Sequence, residues 1–188
     1  MTSFAQGFDR LVALRQQEIQ VGVLKRLRGT NIIRHTEKYG MRYTPYAPYT
    51  VLATDRIDFT TMQRLVRFAR YWDLVANSGR FPQALPLLLG DSPFAHFMTL
   101  SDWFYATTRK THQIALDQLF ELVYRGMIEC LSVPQTEALI AVESDFILSG
   151  SKAVPAFLKA GKPEEYGTRK TRQVSQTSRQ DRHLVKEA

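Results

Sequence analysis

The sequence predicts a mainly α-helical protein in which a short α/β piece leads through an extended connector into a helical bundle. Three observations carry that prediction. From Asp58 onward, apolar residues recur at helical spacing in stretches bounded by Asp, Ser-Pro and Gly. A single short run before that, EIQVGVL at 18–24, alternates Ile19, Val21 and Val23 with polar or small partners and reads as a strand. Between the two lies MRYTPYAPYTVLAT, whose prolines and regularly spaced tyrosines exclude a helix.

Taken in order, residues 4–14 place Phe4, Phe8, Leu11 and Val12 at helical spacing. KRLRGT ends the strand and offers Thr30 as the N-cap of a short helix through about Lys38, closed by Gly40. Two short extended pieces joined at Pro45 and Pro48 follow. Asp58 or Thr60 caps a helix running to Ser78 and stopped by Gly79, and residues 82–89 form a short apolar helix ending at Gly90. Ser92 followed by Pro93 starts a helix through about Thr108, because proline is preorganised for a first helical position. Residues 112–131 form the next, Pro134 opens another that fades by Gly150, and residues 154–158 make a last apolar strap. The expected divisions are 1–40, 41–57 as connector, 58–158 as helical domain, and 159–188 as a basic disordered tail.

Composition narrows the function classes. The 188 residues are 44% hydrophobic with 11 Phe and 8 Tyr, enough to build a core. No apolar run reaches the roughly 18 residues of a membrane span, and MTSFAQGFDR lacks the apolar stretch of a secretory signal, so a cytoplasmic protein is expected. A single cysteine, Cys130, excludes an intramolecular disulfide, a Cys-rich zinc site and a cysteine-ligated iron–sulfur cluster. The net charge is +7, and the segment after Ala160 holds seven basic against four acidic side chains with almost no large apolar residue. Such a segment cannot bury enough surface to offset its ordering entropy, and it would hold nucleic acid only weakly. A second basic cluster, Lys25, Arg26, Arg28, Arg34 and His35, follows the strand.

Several polar residues fall on apolar faces. In the helix from 60 to 78, Met62, Leu65, Val66, Phe68, Ala69, Tyr71, Trp72, Val75 and Ala76 span more than half the circumference, so this helix is expected to be central. Asp73 lies inside that arc, with Arg70 three residues before it and Asn77 four after. The three make an expected buried polar cluster, either a ligand site or an Arg70–Asp73 pair that fixes helix register. His112, on the face carrying Leu116, Leu119 and Val123, is a candidate general base or a capping residue, and Asp102 beside Trp103 is equally ambiguous. His96 and His112 have no Glu or Cys at ligand spacing, so no metal site is expected. GxSxG, P-loop and GxGxxG motifs are absent, and no catalytic residue is assigned. Tyr43, Tyr46 and Tyr49 recur every third residue, as a stacking platform for single strands or as a connector packed on helices.

The runs EIQVGVLKRLRGTNIIRHTEKYGMRYTPYAPYTVLAT, MQRLVRFARYWDLVANSGRF and SPFAHFMTLSDWFYATTRKTHQIALDQLFEL resemble the C-terminal part of cobalamin-binding radical S-adenosylmethionine (SAM) proteins, which carry a C-terminal domain of unknown function. The resemblance covers most of residues 4–158, through words such as LKRLRGT, RFARYWD, NSGRF and THQIAL. It implies that residues 1–40 are the closing helix and strand of the radical SAM partial barrel, with Arg28, Gly29 and Thr30 where related enzymes carry a Pro-Gly-Thr turn. It also implies that Lys25 and Arg28 face SAM or the substrate at the barrel mouth. The family's CxxxCxxC and DxHxxG motifs are absent here. The resemblance therefore implies an accessory segment, inactive alone and binding no cofactor by itself. SAM, an iron–sulfur cluster and cobalamin would sit on a partner chain carrying the cobalamin and radical SAM core. A small basic helical module that binds nucleic acid is the alternative, resting on net charge, the basic clusters and the tyrosines. Composition and pattern alone reach no further than a soluble, basic, mostly helical protein.

Overall fold

Aromatic side chains set at helical spacing on three helices make the centre of the protein. The computed structural model describes residues 1–151 and 154–160. Helices α1 (Thr2–Ala13), α2 (Phe59–Trp72) and α4 (Pro93–Thr108) meet through Phe8, Phe68, Trp72, Phe94 and Phe97. Phe8 stands edge-on to Phe68 and Trp72 at 5.0 and 4.7 Å between ring centroids, and Trp72 is edge-on to Phe97 at 5.0 Å. Edge-to-face pairs are each worth about 0.5–1.5 kcal/mol beyond the area they bury, so this lattice fixes where α1 sits. Asp9 adds a polar tie by accepting from the Phe94 N–H at 2.7 Å at the start of α4. α1 therefore packs into the same core as the helices from α2 onward.

On the other side of α4 lie α3 (Ala84–Leu89), α5 (Leu116–Glu129), α6 (Gln135–Ser149) and the short α7 (Ala156–Ala160). Phe120 of α5 joins Phe81 and Phe146 at 4.7 and 5.4 Å. Gly126 lets α5 approach α4, since a methyl group at that position would collide with Leu100. Segment 154–158, expected as an apolar strap, runs into α7 and places its Leu158 in the core, and Phe157 stacks on Tyr124 at 4.6 Å. Lys159 and Ala160, expected to begin the tail, belong to α7, and the rest of the expected tail lies outside the described residues.

Two expectations are corrected. Residues 18–24 are not a strand: burial alternates along them, with Ile19 buried and Gln20, Gly22 and Leu24 exposed, yet they form no ladder among the described residues. The sheet consists of β1 (Arg42–Tyr43) and β2 (Val51–Ala53), antiparallel and bulged, with a single bridge from Thr50 to Lys25. Alternation makes a segment two-faced, but a strand also needs a neighbour along its length. The helix expected from His112 begins at Leu116, because Gln113 adopts a left-handed backbone and Ala115 is extended. His112 is thus an exposed loop residue. The helix expected to run to Ser78 does so, but its last turn, Asp73–Asn77, widens to π geometry.

Asp145 of α6 is fully buried and closes the other half of the core. Its two carboxylate oxygens accept from the N–H groups of Gln83 and Ala84, each at 2.8 Å, which caps α3 from a distant helix. Burial pushes its carboxyl above the ordinary value of 3.8, against the opposing pull of the two donors. The folded state thus holds the proton more tightly than the unfolded one. The contribution is most favourable below about pH 3.8, falls as pH rises through the folded value, and is flat above it. Asp145→Asn leaves one of the two N–H groups facing an amide donor. The variant is expected to lose about 1–3 kcal/mol at pH 7 in urea unfolding and to lack the fall between acid and neutral pH.

Candidate functional site

Where residues 18–26 cross the bundle, they are held at both ends. Asn77, 6% exposed at the close of the π turn, faces the backbone of Ile19. Its carboxamide donates to the Ile19 carbonyl at 3.1 Å and accepts from the Ile19 N–H at 3.2 Å, the pairing a neighbouring strand would otherwise supply. At the other end the Leu24 carbonyl accepts from Val51 N–H at 2.9 Å, and Arg26 N–H donates to the Tyr49 carbonyl at 3.0 Å. Between these ties, residues 20–23 make no backbone–backbone hydrogen bond among the described residues.

This span stands off the bundle with a hollow on each side. One, of about 180 Å³, is lined by apolar groups that include Val21, Val23, Phe4, Met62 and Leu65. The other, of about 500 Å³, lies between residues 20–23 and the α2 stripe of Val66, Ala69, Arg70 and Asp73, with Asn77 at its end. The covering of α2 is therefore partial. Val66, expected within a buried arc, is 37% exposed.

The expected buried cluster of Arg70, Asp73 and Asn77 is divided by the same geometry. Asn77 is buried beneath Ile19, whereas Arg70 and Asp73 face the open hollow with side chains 46% and 39% exposed. The ion pair between them is present at 3.6 Å, one turn apart on α2, as the register-fixing reading expects. A further hollow of about 370 Å³ is lined by Arg26, Leu27, Arg28, Ile33 and Tyr49. Arg28 reaches it, and Lys25 stands outside it, exposed beside the bridge to Thr50. The ordered cation is Arg26, which the sequence did not single out from its neighbours. Its guanidinium lies over Tyr43 and Tyr49 at 4.9 and 5.8 Å. Tyr46 points away, 80% exposed, so the three tyrosines do not make one platform.

Asp102 and His112 have separate neighbours. Asp102 accepts from Arg64 Nε at 3.0 Å, and the His112 ring meets the Thr111 hydroxyl at 3.2 Å. Among the described residues no group of three or more His, Cys, Asp or Glu side chains could hold a metal ion, and no helix is long and apolar enough to cross a membrane. Cys130 donates its thiol to the Gly126 carbonyl at 3.1 Å, and burial pushes its pKa up to about 11.

A family described as "Protein of unknown function (DUF4080)" matches residues 37–188. The chain belongs to that family. No curated protein and no solved structure matches it. The DUF4080 match takes in the hairpin and the helices from α2 onward, and it leaves α1 and the span of residues 18–26 outside.

Two measurements probe this site. Asn77→Ala frees both backbone groups of Ile19, so global stability should fall by about 1–3 kcal/mol, with faster amide exchange at Ile19. A thiol shifted from 9.0 to about 11 carries roughly a hundredfold less thiolate at neutral pH than the unfolded chain. Alkylation of Cys130 by iodoacetamide at pH 7.5 should therefore accelerate by about 100-fold or more in urea.

Proposed function

We propose that this chain is a helical accessory module that docks on a larger catalyst through residues 18–34, and that the catalyst is of the cobalamin-binding radical SAM type. The single observation that carries docking is the span of residues 20–23, tied at Ile19 and Leu24, whose backbone groups in between find no backbone partner among the described residues. Unpaired backbone along an alternating apolar segment is a template for strand addition, with main-chain bonds for affinity and side-chain hollows for selectivity.

The distribution of apolar surface supports the same reading. Among the described residues, seven of the twelve exposed large hydrophobic side chains precede Val51, and only Phe8 and Ile19 of the buried ones do. Leu27 and Ile33 line the Arg26 hollow at 56% and 55% exposure, and Leu24, on the apolar hollow, is 46% exposed. Helix α2 is written for burial over a wider arc than the chain covers, since Val66 and Ala69 face the open hollow. A strand from the partner would cover these residues and pair residues 20–23 at once.

The type of catalyst rests on the resemblance alone. That resemblance reads residues 18–24 as the closing strand of a barrel whose other strands, iron–sulfur cluster and cobalamin lie on the partner. Lys25 and Arg28 would then sit at the end of that strand, toward the anionic groups of SAM or substrate. With one cysteine, whose thiol burial keeps protonated, the module brings no cluster ligand set of its own. Its contribution is cover: a wall of helices beside the barrel that excludes water from the substrate.

Mixing the chain with a protein bearing the CxxxCxxC loop and a cobalamin domain tests both parts. Co-elution at micromolar concentration is expected, with amide exchange slowed at residues 20–23 and unchanged at buried Phe120. A partner of that type that fails to associate overturns the assignment of catalyst. Fast exchange at residues 20–23 within a formed complex overturns docking through this span.

A further inference from the structure

The charges of α2 are all of one sign. Arg64, Arg67 and Arg70 recur three residues apart on one side of the helix, which carries no Asp or Glu. Across from them, α4 offers one carboxylate, Asp102, and is followed by Arg109 and Lys110. The Arg70–Asp73 pair turns toward the hollow beside residues 20–23, so on the α4 side four cations, Arg64, Arg67, Arg109 and Lys110, meet one carboxylate, Asp102.

The two carboxylates are already engaged. Arg64 takes Asp102 through Nε, at 3.0 and 3.3 Å to its two oxygens, and through a terminal nitrogen. Arg70 takes Asp73 and also donates Nε to the Thr111 carbonyl at 3.1 Å. Arg67 is left with the far oxygen of Asp102, at the 4.0 Å limit of an ion pair. Its Nε is buried and has no hydrogen-bond partner among the described residues. The group is nonetheless fixed in place, because its guanidinium lies over the Tyr105 ring at 4.4 Å, and Arg109 lies over the same ring at 5.7 Å. The Tyr71 hydroxyl donates to the Lys110 carbonyl at 2.7 Å, which ties the backbone that carries Arg109 and Lys110 to α2.

A guanidinium ordered by an aromatic ring, 21% exposed, short of an anion and flanked by excess positive charge is preorganised for an oxyanion. We infer that Arg67, with Arg109 and Lys110, forms a binding site for the phosphate group of a small molecule. A dianion matches the excess charge better than a single carboxylate. The planar fork of Arg67 supplies paired donors at the rim while Tyr105 holds it against rotation. This site lies on the α2–α4 face and does not depend on the docking proposal.

Titration calorimetry with inorganic phosphate, at ionic strength held constant with sodium chloride, tests the inference on the whole chain. Saturable one-to-one binding is expected, at least about tenfold tighter than acetate. Arg67→Gln and Arg109→Gln should each weaken phosphate binding by about tenfold or more, and Arg125→Gln, on α5, should leave it unchanged. Arg109 is exposed, so its variant keeps the test valid should Arg67→Gln unfold the chain. Three results would overturn the inference: no saturable phosphate binding at millimolar concentration, equal loss in Arg125→Gln, or binding confined to an oligonucleotide with a steep salt dependence.

Discussion

A single carboxamide fixes where the chain between α1 and the hairpin crosses the bundle. Asn77 pairs with both backbone groups of Ile19, and a buried amide of this kind is an all-or-nothing device. Satisfied, it stands in for a strand partner that the described residues do not supply. Removed, it strands two backbone groups against an apolar wall. The aromatic lattice around Phe8 holds α1, and the hairpin holds residues 24–26, but neither reaches the intervening span. The course of residues 18–26 thus follows from Asn77 at one end and β2 at the other.

Much of the fold was legible because its signals were local. Asp58 caps α2 by accepting from Thr61 N–H at 2.7 Å, Pro93 starts α4, and Gly150 closes α6 in the left-handed region, each at the position its side chain or backbone dictates. The failures were nonlocal. Whether an alternating run becomes a strand depends on a neighbour the run does not encode, and residues 18–24 have a side chain where a strand would be. His112 was read into α5 by apolar spacing, yet a left-handed Gln113 three residues before the helix breaks that register. Asp145 was missed altogether. It sits among Ala138, Ala141, Val142 and Phe146 on a helix whose polar and apolar residues are not cleanly segregated, and its purpose lies on α3, about sixty residues earlier.

The polar residues of α2 differ in burial from what its apolar arc predicts. Counting Val66 and Ala69 as core made the apolar arc wide enough to swallow Asp73. In the fold that part of the arc faces a hollow, so Asp73 and Arg70 pair near solvent and Asn77 alone is buried. The sequence was not wrong that Val66 and Ala69 are apolar. Apolar residues on an uncovered side of a central helix describe a surface that the described residues leave unfinished.

Two kinds of incompleteness therefore stand on opposite sides of α2, and they differ in physical character. Toward residues 20–23 the deficit is in backbone pairing and apolar cover, which a protein strand supplies and a small ion does not. Toward α4 the deficit is in negative charge, and the arginines are already ordered by Tyr105 and by the engaged carboxylates. A protein partner could offer a carboxylate there, but ring-held guanidinium groups gain most from a ligand that brings two charges to one point. The same helix can thus carry a partner on one side and an anion on the other. Phe68, which has no exposure to solvent, packs at its centre and keeps the two sides in fixed relation.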